Sequence, residues 1–289
     1  MEKLVLFCKS YSLDMLRARR LAESIAVYNV DDVSFYLSVP ERDLEAFRRC
    51  FQDLPCRFVT DEMILAESCA AYGELPPSFP AHLVQQLVKL EFWRLGLGEN
   101  YIWLDSDSYF IRPFRTDGFF AEGGTPYTVM HEGGDLFTFA KRHGREKIID
   151  DFQKVSARGK TLFGRTGADY DFGPSPPIWS AKVLQGLAGE IRSMGQASIY
   201  ALLADFPSEI QLYGEYLLAS EKIPIVPRGP LFKVFHYVEQ FMEAQERGEW
   251  DYSWAKEYFG VVMQSNWARL PPPRQGIRRR LARWFSDLH

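Results

Sequence analysis

The sequence predicts an α/β protein built on a mostly parallel sheet flanked by helices. Two short, fully apolar runs, Leu4–Cys8 and Tyr101–Leu104, read as buried strands, and segments of helical period lie between them. The second half is less regular and is rich in Gly, Pro and aromatic residues. The order strand, helix, strand, helix requires parallel strands joined by crossovers, and ligands of such sheets bind beyond the carboxyl ends of the strands.

Each element has its own signal. After the first strand, Leu13, Leu16, Leu21, Ile25 and Tyr28 fall at near-helical spacing, with Asp14 where a helix dipole favours a carboxylate. Val33–Val39 alternates as a second strand. Pro40 and Glu41 open a helix that runs to Phe51, and Cys56–Val59 is a third strand. His82–Leu95 carries the stripe Leu83, Leu87, Leu90, Leu95 and stops at Gly96. Further on, helices are predicted at Lys141–Ala157, Ser180–Ile191, Ile199–Asp205 and Glu209–Ala219. Strands are predicted at Tyr127–His131, Pro224–Val226 and Val261–Gln264.

The chain has 289 residues, 46% hydrophobic, 25% charged and 15% aromatic, which is enough apolar surface for a large folded domain and excludes a disordered chain. The formal charge of −4 is uneven. Residues 269–289 carry six Arg and one Asp, so the rest of the chain is acidic, which argues against a nucleic-acid binder. Cys8, Cys50, Cys56 and Cys69 form no C-x-x-C pair, and the expectation is reduced thiols in the cytoplasm. No G-x-x-x-x-G-K-[ST] loop is present in the sequence, which disfavours a P-loop enzyme.

The sharpest feature is Tyr101-Ile102-Trp103-Leu104-Asp105-Ser106-Asp107. On an extended chain Asp105 and Asp107 would share a face, where two carboxylates repel unless something neutralises them. A divalent cation does so, and Mg²⁺ or Mn²⁺ takes one or two carboxylates together with substrate phosphates. The other reading is an acidic turn whose side chains cap backbone N–H groups.

These residues resemble GT-A-type, metal-dependent glycosyltransferases. The likeness extends to a bacterial glycosyltransferase-like family through Tyr11-Ser12-Leu13-Asp14, Gln85-Gln86-Leu87-Val88-Lys89-Leu90 and Leu104-Asp105-Ser106-Asp107. It covers about residues 1–268, with Ser208–Tyr216 and Val261–Asn266 fitting as well. The resemblance implies a Rossmann-like, GT-A-like domain over 1–268. Its nucleotide-sugar-binding half would be 1–115 and its irregular acceptor and catalytic half 116–268. It implies that Asp105, Asp107 and His236 hold Mn²⁺ or Mg²⁺, and that Lys9, Tyr11, Gln86, Lys89 and Ser106 face the donor. His236 reads equally as a packed or surface histidine, and the alternative for Lys89 is a solvated helix lysine.

An inverting transferase needs a carboxylate to deprotonate the acceptor hydroxyl. Glu209, at the start of a helix, and Asp171, in the loop Thr166–Gly173, are the candidates, although each also suits ordinary helix-start or turn chemistry. Tyr170, Trp179 and His131 are candidates for an acceptor platform.

Beyond Pro271-Pro272-Pro273, Ile277, Leu281, Trp284, Phe285 and Leu288 share one helical face, and Arg278, Arg279, Arg280 and Arg283 occupy the rest. This basic amphipathic tail suits an anionic membrane surface through residues 274–289, or docking on the acidic body. The expectation is a cytoplasmic enzyme held at the inner face of the membrane, acting on a nucleotide-sugar donor and a glycan or lipid-linked acceptor. Two other readings stay open. One is a D-x-D phosphatase, although there the motif normally follows the first strand. The other is a non-catalytic peripheral membrane adaptor.

Overall fold

The computed structural model describes residues 1–193 and 198–264. Strands β1 (Val5–Lys9), β2 (Phe35–Val39) and β3 (Arg57–Thr60) alternate with helices α1 (Met15–Tyr28), α2 (Leu44–Cys50) and α3 (Asp61–Tyr72). Helix α4 (Val84–Glu91) then leads into β4 (Asn100–Asp105). Beyond it come β5 (Ser108–Phe110), β6 (Thr128–Val129), α5 (Gly134–Arg142), α6 (Lys147–Phe163), β7 (Ile178–Ser180), α7 (Ala181–Ser193), α8 (Ile199–Asp205) and α9 (Glu209–Ser220). The last elements are β8 (Pro227–Arg228), β9 (Phe232–Phe235), α10 (Val238–Glu246), α11 (Asp251–Trp254) and β10 (Gly260–Met263).

The main sheet runs β3-β2-β1-β4-β7. Its first four strands are parallel, and β7 closes the edge antiparallel to β4. This is the mostly parallel, helix-flanked architecture that the sequence predicted, with β7 contributed by the second half of the chain. Alternation along the strands divides the interior. Leu6, Cys8, Leu37, Ile102 and Leu104 pack on one face with Leu21 and Ile25 of α1 and Phe47 of α2. Val5, Phe7, Tyr101 and Trp103 pack on the other, among residues of α4, α7 and α9. There Phe7 stacks on Phe92 with ring centroids 3.9 Å apart.

A second sheet, β5-β10-β9, pairs β5 antiparallel and β9 parallel to β10. β6 and β8 form a small parallel pair. No helix among the described residues is long and apolar enough to cross a membrane.

Several expectations are corrected. The helix predicted at 141–157 is two helices, because Gly144 at φ 63 breaks the chain between α5 and α6. The helix predicted at 82–95 is α helical only over α4, with tighter 3₁₀ turns at Ala81–Leu83 and Phe92–Leu95. The strand at 127–131 shrinks to Thr128–Val129. The one at 224–226 shifts to Pro227–Arg228, where the parallel pairing with β6 falls. Helix α3 was not anticipated, and neither were α10, β7 and β9. The amphipathic helix expected at 269–289 lies outside the described residues.

Candidate active site

Alternation along β4 puts Tyr101, Trp103 and Asp105 on the face that meets α4. The Tyr101 hydroxyl donates to the carbonyl of Lys89 at 2.8 Å, which fixes α4 against the strand. Lys89 is therefore turned inward and is only 7% exposed, which excludes a solvated helix lysine. Its Nζ lies 2.9 Å from Asp105 Oδ1, 3.4 Å from Glu209 Oε1 and 3.8 Å from the centroid of the Trp103 ring. Burial works against the ammonium charge, yet the two carboxylates outweigh it and hold the lysine protonated well above its ordinary range.

Glu209 is set in place by the start of α9. Ser208 caps that helix, its hydroxyl accepting from Gln211 N at 3.4 Å, and Glu209 occupies the first turn. Its carboxylate is buried and faces Lys89. Asp105 is half-exposed, and with Oδ1 held by Lys89 its Oδ2 has no protein partner among the described residues.

A second ion pair lies one strand away, where Lys9 and Asp105 are register partners of β1 and β4. Lys9 Nζ is 2.9 Å from Asp61 Oδ2 and donates to the Ser10 carbonyl at 2.6 Å. Ser38 Oγ donates to Asp61 Oδ1 at 2.7 Å. Burial raises the Asp61 carboxyl above its ordinary value against the pull of Lys9 and Ser38. Sequence reasoning missed Asp61. The available signal was Thr60 followed by Asp61 and Glu62, a cap with acidic first-turn residues, and Thr60 Oγ1 does accept from Met63 N. Tyr11, just beyond β1, is 39% exposed.

The aspartates do not share a face by strand alternation. β4 ends at Asp105, Ser106 and Asp107 form a turn, and β5 then enters the second sheet. Ser108 Oγ donates to the Asp105 carbonyl at 2.5 Å, tightening that turn. The second sheet brings three segments to one edge: Met263 N donates to the Asp107 carbonyl at 3.0 Å, and Gln264 N to the Phe235 carbonyl at 3.2 Å, immediately before His236. Asp105, Asp107 and His236 are not gathered into a preformed ligand set. Among the described residues no group of three or more His, Cys, Asp or Glu side chains could hold a metal ion. The residues still suit a hard cation that brings its own phosphate ligands, because Asp105 is half-exposed with one oxygen not taken by Lys89, and Asp107 is a second carboxylate two residues on. Gln86 is half-buried and donates from Nε2 to the Pro207 carbonyl at 3.4 Å, while Gln85 is exposed.

The loop before β7 is tied to α9. Arg165 binds Glu215 through Nε and Nη2, the latter at 2.9 Å to Oε1, and donates to the carbonyls of Thr166 and Ala168. Gln211 Nε2 donates to Glu215 Oε1 and to the Tyr170 carbonyl. Within the loop, Asp169 is taken up by Ser156 and Lys160. Asp171 Oδ1 accepts from Gly173 N at 3.0 Å, and Oδ2 lies 4.0 Å from His131 Nε2. His131 Nδ1 accepts from Gly133 N. Burial raises the Asp171 carboxyl above its ordinary value, opposed by His131 and by the Gly173 N–H. Trp179 does not join an acceptor platform: it is fully buried and stacks on Tyr213 at 4.8 Å.

The sequence profile of a family described as "Family of unknown function (DUF6492)" matches residues 4–247. The chain belongs to this family. No curated protein matches the DUF6492 chain by sequence. Among solved structures it is similar to the crystal structure of mouse xyloside xylosyltransferase 1 in its apo form. The TM-score is 0.50 and the identity 10%, over 94% of this chain and all of that one. That likeness is one of fold, and it agrees with the GT-A-like architecture expected from the resemblance.

Proposed function

We propose that this DUF6492 chain is a metal-dependent glycosyltransferase that moves a sugar from a nucleotide-sugar donor to a hydroxyl acceptor. The observation that carries the reading is the meeting of Asp105, Lys89 and Glu209 at the carboxyl end of β4, where a sheet of this topology binds its ligands. Asp105 and Asp107 would hold Mn²⁺ or Mg²⁺, whose charge would stabilise a departing diphosphate. The exposed ring of Tyr11, just beyond β1, would offer a face to a base or ribose, and Lys9, braced by Asp61, would meet the donor at the same end of β1. Asp171 is the better acceptor base of the two candidates. Its raised proton affinity suits the task and its Oδ2 is only loosely engaged by His131, whereas Glu209 is occupied with Lys89.

Glycan and lipid-linked molecules both remain acceptor classes in this reading. The tail at residues 274–289 would seat the enzyme on an anionic membrane, and sedimentation with anionic vesicles should fall when 274–289 are deleted.

The test is a thermal-shift series with nucleoside diphosphate sugars, run with Mn²⁺ and with a chelator. Stabilisation by one donor only when metal is present is the expected result. An Asp105→Ala, Asp107→Ala variant should lose both that shift and sugar transfer, and transfer retained by this variant would falsify the metal assignment.

A further inference from the structure

Lys89 needs no ligand to be neutralised. Asp105, Glu209 and the face of Trp103 surround its ammonium within 3.8 Å, and the side chain is almost wholly enclosed. The lysine thus already engages one oxygen of the carboxylate that the proposed function gives to a cation. A bare divalent ion approaching Asp105 Oδ2 meets the fixed positive charge of Lys89 on the other oxygen of its ligand. A diphosphate reverses that balance, because its negative oxygens are attracted by the cation and the ammonium alike.

We infer that Lys89 is a positioning residue that makes cation entry at Asp105 depend on the diphosphate, and that Glu209 tunes this dependence by offsetting the ammonium charge. The inference rests on the metal reading of Asp105 and Asp107. Glu209 lies 3.4 Å from Nζ against 2.9 Å for Asp105, so one ammonium donates to both carboxylates and Glu209 offsets part of the charge that stands behind Asp105. Neutralising either partner must then shift bare-cation affinity in opposite directions, which a merely structural role for the cluster would not do.

The experiment measures binding to the full chain of Mn²⁺ alone and of the preformed Mn²⁺–pyrophosphate complex, by electron paramagnetic resonance and calorimetry. Wild type should bind the complex well and bare Mn²⁺ weakly. Lys89→Met should bind bare Mn²⁺ on the order of tenfold more tightly and the complex more weakly, as expected when a nearby like charge is removed. Glu209→Gln should bind bare Mn²⁺ more weakly than wild type. Lys89→Met leaves Glu209 buried without a counter-charge. The double variant Lys89→Met, Glu209→Gln is therefore measured beside it, with circular dichroism and melting as checks of folding, and should keep the gain for bare Mn²⁺.

A folded Lys89→Met or double variant that binds bare Mn²⁺ no better than wild type overturns the inference. So does a shift of Lys89→Met and Glu209→Gln in the same direction. Should wild type bind neither probe, or bind both unchanged after Asp105→Asn, Asp107→Asn, the metal reading itself fails and this inference with it.

Discussion

The ring of Phe172 occupies the space where a Cβ at position 214 would stand, so α9 meets the Asp171 loop through the bare backbone of Gly214. Asp171 is held beside α9 by this contact, by the bond from Gln211 to the Tyr170 carbonyl, and by the close approach of Gly173 to Ile210.

Gly214→Ala should therefore be an overpacking mutation even though alanine favours helix. A loss of about 1–3 kcal/mol is expected from the clash, read as a lower urea midpoint at unchanged m-value. The proposed transfer activity should fall further than stability alone explains, because the displaced loop carries Asp171, the proposed acceptor base.

The Arg165–Glu215 pair makes a contrasting prediction. Glu215 is fully buried and Arg165 nearly so. Arg165→Met should cost about 3–5 kcal/mol, because it strands a buried carboxylate. Adding Glu215→Leu should recover part of that loss, and a double variant no more stable than the single one in urea titration would refute this account.

Asp171 gives a pH signature. Burial raises its folded-state carboxyl pKa, so its favourable contribution is complete below the unfolded value of about 3.9 and is lost as pH rises through the folded value. Asp171→Asn, which keeps an acceptor for Gly173 N–H, should melt above wild type at neutral pH. The gap should close as pH falls through the acid range, and a gap that widens there would contradict the assignment.

Ser208→Ala tests the cap at the start of α9. Loss of this cap should cost about 0.5–2 kcal/mol. The Gln211 amide, which loses its Ser208 acceptor, should show weaker protection in hydrogen exchange.

The parallel sheet was legible because its strands are short apolar runs between helical stripes, and β1, β2 and β4 fall where those runs do. Helix α3 was not, because Met63, Ile64, Leu65 and Ala66 are consecutive and give no one-sided stripe. The second sheet escaped notice because its strands have three or four residues and β5 finds β10 across a long stretch of chain. In the site, Asp105, Lys89 and Glu209 could each be singled out, but not their contact. Lys89 and Glu209 are 120 positions apart, and no local pattern reveals that a helix lysine turns inward to meet a distant carboxylate. The turn at Ser106-Asp107 was open to the sequence as the alternative reading of the acidic pair, but the apolar residues on both sides gave no local signal to choose it over two carboxylates on one strand face.

Strand β7 has a consequence for how the polypeptide comes into being. On the ribosome, β4 emerges with one flank covered by β1 and the other bare, and that flank stays bare until Ile178–Ser180 has been synthesised. An amino-terminal fragment ending near residue 115 would carry an open edge ready to recruit a neighbouring chain, so truncated products should accumulate as aggregates rather than as a free-standing unit.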